Sequence, residues 1–358
     1  MTRVCALLLA AILGGGSLAA QELWVSDSLR LLADSAPLFA SHDVLELRLE
    51  APFKTVLRDR SQESEYHPGQ LFYVDDRGDS VVLDVRVKTR GKFRLQRRTC
   101  GFPNLHINFR RSQVENTLFA GQNRVSIVAH CQDKRSQYEQ HTLEEYLLYR
   151  TYNLLTDTSV RVRLARVTYV DTEGDRDPLT RYMFFLEHFD MLAARHGWEV
   201  IEVPVVPPDQ QDAHHLLLIE VFQFMIGNSD WSIFRAAEGE SCCHNMKMIG
   251  TMVEVVPVPY DFDWSGVISA PYAKPDPRLN VRDVRQRRYW GICRPAEEFA
   301  AIFPLFNERQ EAIYELWRSQ EGLDAKRLER TIEYFDEFYE IINDSRKADR
   351  EIVRKCRR

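Results

Sequence analysis

The chain has 358 residues, 44% of them hydrophobic and 28% charged, with a formal net charge of −6. That is enough apolar material for one large two-lobed domain or two modest ones, and so mild an acidity calls for no nucleic-acid partner. Beyond the N-terminal leader no apolar run approaches the roughly 20 residues that a bilayer span needs, so no membrane span is expected after leader removal.

The leader is 1–20. A positive start at Arg3, a short apolar run from Val4 to Leu13 and small residues up to Ala20 read as a secretory signal peptide, with cleavage after Ala19 or Ala20. The expected location is therefore exported, periplasmic or secreted. Cys5 falls within the leader and six cysteines follow it. In an exported chain an even count suggests disulfides. Cys100 with Cys131 is one expected pair, because both flank neighbouring strands, and Cys242 or Cys243 with Cys293 is a second. Adjacent cysteines rarely bond each other, which would leave one of Cys242 and Cys243 free.

A β-rich region is expected over 21–196. Val44 to Glu50 alternates apolar and charged residues, the mark of a half-buried strand. Two strands flank the tight turn at Asp75–Asp79, and two more are expected at Leu105–Phe109 and Arg124–Ala129. The basic cluster Lys88, Arg90, Lys92, Arg94, Arg97 and Arg98 marks either a local anionic ligand or a solvated strand face. Residues 139–155 have helical period, with a capping-like start at Thr142 before Glu144 and Glu145. Arg161–Val170 and Tyr182–Glu187 form a further strand pair. The proline-rich stretch 197–211 cannot be regular helix and is the expected linker. The remainder, 212–358, reads as mainly helical, with helices at 212–226, 296–319 and 324–343. Sheet first and helix second is α+β segregation in two lobes.

The chemistry gathers in three short stretches of the second lobe: Gly227-Asn228-Ser229-Asp230, then His244-Asn245, then Pro259-Tyr260-Asp261-Phe262-Asp263. Asp230 begins an irregular loop, where plain turn chemistry is the alternative reading. Asp261 and Asp263 stand two apart among large aromatics at a strand exit. Burying such a pair costs free energy unless a cation or donor compensates, and a hard cation such as Mg²⁺ takes oxygen ligands of this kind. A carboxylate to accept a hydroxyl proton, plus an amide and a second carboxylate for a metal, is the side-chain set of phosphoryl transfer.

In this order the three stretches resemble the CotH family of secreted atypical protein kinases. Three earlier stretches are similar to that family too: Val85 to Gly91, Arg124 to Asp133, and Phe184 to Asp190. The resemblance runs over about residues 80–270. It implies an atypical protein-kinase-like fold, with a β-rich N-lobe, a mainly helical C-lobe and ATP bound between them with Mg²⁺ or Mn²⁺. It also implies a protein phosphoacceptor, of unknown identity. Asp230 would be the catalytic carboxylate. Asn245 and Asp261 would hold the metal, assisted by Asp263. Glu144 or Glu145 would brace a phosphate-contacting cation supplied by Lys88, Arg90 or Lys92, and Glu187 matches the family's strand-ending Glu.

One departure matters. Where the family places a lysine, the stretch Phe102–Phe109 has none and offers His106, which carries no fixed charge. Either one of the three named cations takes that role, or the chain is a pseudokinase-like binding or scaffold module. A zinc-dependent hydrolase using His130, His141, His214, His215 or His244 with cysteines lacks ligand spacing. Two roles assigned to Asp230 and Asp261 as paired acid and base would make a different hydrolase.

Overall fold

The period-two alternation along the first half does form strands, but they close on themselves. A computed structural model of the chain describes residues 29–234, 236, 241–251 and 254–357. The expected signal peptide lies outside the described residues. Seven strands, β1 (Leu45–Ala51), β2 (His67–Val74), β3 (Ser80–Thr89), β4 (Leu105–Phe109), β5 (Arg124–Val128), β6 (Val162–Asp171) and β7 (Leu179–Leu186), make a closed barrel in the order β1-β2-β3-β4-β5-β7-β6. Neighbours are antiparallel except at the seam, where β1 runs parallel to β6 from Leu45↔Ala165 to Ala51↔Asp171. The inward-facing residues, among them Leu49, Val87, Ile107 and Phe185, form one apolar cluster.

This closed barrel overturns the expected two-lobed kinase-like fold with a β-rich N-lobe and a mainly helical C-lobe. Alternation identifies each strand but is blind to the β1–β6 pairing, which joins residues far apart in sequence. The second half also departs from the mainly helical expectation. The strands β8 (Glu199–Val200), β9 (Met246–Gly250) and β10 (Val255–Pro259) form a separate sheet in the order β10-β9-β8. β10 is buried at every position, so its run of Val and Pro reads as continuous rather than alternating.

Helix α1 (Ser136–Leu155) leaves the barrel between β5 and β6. Its apolar residues join the core of the second half, where Trp317 Nε1 donates to Thr151 Oγ1 at 3.0 Å. Thr142 is not its cap. The helix begins two turns earlier, and the Thr142 hydroxyl donates weakly to the Tyr138 carbonyl at 3.3 Å. The other helices of this half are α2 (Phe189–Arg195), α3 (Ala213–Ile226), α4 (Ala296–Arg318), which packs on α1, α5 (Ala325–Ile342) and α6 (Ser345–Glu351), which packs on α5. The stretch 197–211 carries β8 and buries Val206 in this same core. Asp212 caps α3 by accepting the His215 N–H, and Gly227 ends it in the left-handed region at φ 66°. His215, one of the histidines considered for zinc, is buried against the Tyr152 hydroxyl at 3.2 Å.

The expected Cys100–Cys131 disulfide is present. Cys293 pairs with Cys356 rather than with the adjacent cysteines, which pair with each other. Among the described residues no helix is long and apolar enough to cross a membrane.

Candidate functional site

A cleft of about 570 Å³ lies where the end of the barrel meets the second half. The three sequence stretches converge on it because each is a loop leaving a buried element. Asp230 follows the glycine stop of α3, Asn245 precedes β9, and Asp261 and Asp263 follow β10. The β9–β10 pairing sets Met246 opposite Pro259 and so brings the last two stretches side by side. The Tyr260 N–H donates to the Asn245 carbonyl at 3.1 Å and fixes their spacing.

Asp230 is held from three sides. Its N–H donates to Asn228 Oδ1 at 3.0 Å, its Oδ1 lies 2.9 Å from His244 Nε2, and its Oδ2 accepts from Asn245 Nδ2 at 3.0 Å. The same Asn245 amide nitrogen donates to the Asp230 carbonyl at 2.7 Å, which leaves Asn245 Oδ1 as the end of the amide that can face a ligand. Asn245 and Asp261 both adopt left-handed backbone, at φ 52° and 63°. Side chains other than Gly are held there only when their surroundings insist, and such residues cluster at functional sites.

The cleft floor is ionic. Arg94 Nη2 lies 2.9 Å from Glu145 Oε2 and 2.9 Å from Asp263 Oδ2, while Arg94 Nη1 donates to Asn104 Oδ1 at 3.2 Å. Tyr272 donates to Asp263 Oδ2 at 2.9 Å, and the Asp261 N–H donates to the Tyr149 hydroxyl at 2.8 Å. Among the described residues the Asp261 carboxyl accepts no hydrogen bond. Burial, with Asp263 and Glu145 beside it, drives its pKa well above the usual carboxylate range against the pull of Arg94 and Arg90. Burial likewise pushes Glu145 up to about 7. Arg90 lines the same cleft, and its Nε is buried with no hydrogen-bond partner. An orphaned guanidinium N–H is what a ligand anion would satisfy.

The residues named from sequence divide accordingly. Asp230, Asn245, Asp261, Asp263, Glu145, Glu187, Arg90 and Lys92 all line the cleft. Glu187 is nonetheless committed elsewhere, to Arg161 and Arg195 at 2.9 and 3.1 Å. Lys88 lies outside, over the Tyr66 ring at 4.9 Å. Glu144 points away from the cleft to Arg327, at 2.8 Å. His106 cannot substitute for a lysine: burial, then Arg90, lowers its pKa to about 3 and keeps it neutral.

Sequence reasoning missed the pivot, Arg94, which was one basic residue in a run of them. It also missed Tyr149. A usable signal existed, since Glu145 and Tyr149 stand four apart and share a helix face. The zinc alternative finds no support in the side chains it would need. His130 pairs with Asp133 at 2.8 Å and the cysteines are in disulfides.

The donors at 230, 245 and 261 are hard oxygens of the kind Mg²⁺ or Mn²⁺ takes, and the raised Asp261 carboxyl is the one that a cation would relieve. Among the described residues no three His, Cys, Asp or Glu side chains already stand at metal-holding distance. No protein-family model matches the chain, and no curated protein matches it.

Proposed function

We propose that this cleft binds ATP with a divalent cation and transfers its terminal phosphoryl group to a protein, in the manner that the resemblance to the CotH family implies, on an exported chain. The observation that carries the reading is the meeting, in one cleft, of Asp230, Asn245 and Asp261 with Arg90 and Lys92. The disulfides fit export.

Asp230 takes the proton of the acceptor hydroxyl. His244 and Asn245 fix its two oxygens, and a carboxylate retains lone pairs beyond those two bonds. Asn245 and Asp261 are the residues that would hold Mg²⁺ or Mn²⁺, which when bound supplies neutralisation of charge building on the phosphate oxygens. Arg90 offers its unsatisfied N–H to the phosphates. Arg94 is a positioning residue: it holds the Glu145 and Asp263 side chains in place.

A second reading, a non-catalytic binding module, is favoured by two observations. Arg94 is already spent on two carboxylates, and His106 is neutral where a lysine is expected. Calorimetry of ATP with Mg²⁺ or Mn²⁺, and again with EDTA, separates the two. Metal-dependent binding that disappears in Asp261→Ala supports phosphoryl transfer. Absence of binding in every condition leaves the binding module.

A further inference from the structure

On the far side of α1 from the cleft lies a second, much smaller cavity of about 60 Å³, walled almost entirely by polar atoms. Three arginines line it. Arg327 and Arg330 stand three apart near the start of α5 and so share one face, and Arg285 comes from the loop before α4. Val267, Ile268, Ser269 and Thr331 also line it, Thr331 being buried.

The charges do not balance. Glu144 is the one carboxylate lining the cavity, and Arg327 already holds it at 2.8 Å while its other amino group meets His141 Nε2 at 3.1 Å. Arg285 lies over the Tyr334 ring at 5.1 Å, and its Nη1 reaches the Gly266 carbonyl only at 3.4 Å. Arg330 makes no ion pair among the described residues. Guanidinium groups repel one another when they converge without anions, and their planar donor forks match tetrahedral oxyanions. The volume admits a single small ion and excludes a nucleotide.

We infer that Arg285, Arg327 and Arg330 form a binding site for one phosphate-type oxyanion, with Ser269 and Thr331 as hydroxyl partners. The site is separate from the cleft and does not rest on the phosphotransferase reading. The oxyanion is either free phosphate or a phosphoryl group carried on a protein side chain; both present the same three oxygens. Occupancy there bears on Arg327, hence on Glu144, whose neighbour Glu145 braces Arg94 in the cleft.

The test is calorimetry of the full chain, at low ionic strength and pH 7, with inorganic phosphate and separately with O-phosphoserine. Binding of at least one should weaken ten-fold or more in Arg285→Met/Arg330→Met and remain unchanged in Arg318→Ala, which removes a surface arginine outside both sites. Tighter binding of phosphate assigns the free ion, and tighter binding of O-phosphoserine assigns a protein-borne group. Thermal melts without ligand check that the double variant folds. No binding of either probe to the unaltered chain, or equal binding in the double variant, overturns the site.

Discussion

The barrel interior and the cleft floor are both buried, yet they are built from opposite materials. The barrel encloses Leu49, Val87, Leu105, Ile107 and Phe185 in one apolar cluster, with the buried charges Arg163 and Asp171 kept to the two ends of β6. The cleft floor buries Glu145 and Asp263, each within hydrogen-bond distance of the buried Arg94. An apolar interior gains from every atom taken out of water. A buried ion pair roughly breaks even against apolar side chains of the same size, so its presence calls for a reason other than stability. In this molecule the apolar burial of the barrel and the ionic floor of the cleft lie side by side.

The sharpest way to break that contrast is Arg94→Met. It leaves two buried carboxylates without their partner and should cost about 3–5 kcal/mol, along with any nucleotide binding. Replacing Arg94, Glu145 and Asp263 together by apolar residues of similar volume should restore most of the stability and none of the binding, measured by denaturant melts and calorimetry. If the triple variant stays as unstable as the single one, the floor is structural after all. Phe185→Ala in the barrel should cost a comparable 3–5 kcal/mol, roughly, through the cavity it leaves. Unlike Arg94→Met it should leave cleft affinity unchanged in the fraction that remains folded.

A smaller effect is a slope against pH. Glu145 is raised to about 7 and Glu144 to about 8, each by burial first, with Asp263 also raising Glu145. Both folded values lie above the unfolded one, so between about pH 4.5 and 8 the folded chain binds more protons and stability falls as pH rises. The contribution of the two groups is complete below that window and lost through it. Melting temperatures at pH 5 and pH 8 should show the fall, and Glu145→Gln should flatten it. The smallest effect is expected at the surface. Arg318 and Glu311 pair at 3.1 Å while largely exposed, and Arg318→Ala should change stability by no more than about 0.5 kcal/mol.

Local pattern disclosed the local parts of this structure. The strand at Leu45–Ala51 follows from alternation, and the helices at Ala213–Ile226 and Ala325–Ile342 follow from period and caps. The loops carrying Asp230, Asn245 and Asp261 were visible as chemistry, and they do line one cleft. What stayed hidden was non-local. Nothing in Leu45–Ala51 announces a parallel partner in β6, and without that partner the sheet reads as open. Glu144 and Glu145 were inseparable as letters, although adjacent helical residues face about 100° apart; one meets Arg327 and the other Arg94. Arg94 stood out from its basic neighbours only once Asp263, far along the chain, lay against it.

The parallel seam between β1 and β6 also sets an order of events. Its first register pair joins Leu45 to Ala165. Closing so long a loop has to be met in chain entropy before any of the seam's hydrogen bonds repay it, and such topologies fold slowly. Until β6 and β7 are both in place, the sheet of β1 to β5 has bare edges, the kind of surface on which chains pair with their neighbours. Helix α1 lies between β5 and β6 in sequence, so the segment that bears Glu145 is delivered before the barrel can shut. The barrel is closed only when β7 joins β5 to β6 and β6 lies on β1, so the rim that walls the cleft depends on pairings made on both sides of α1.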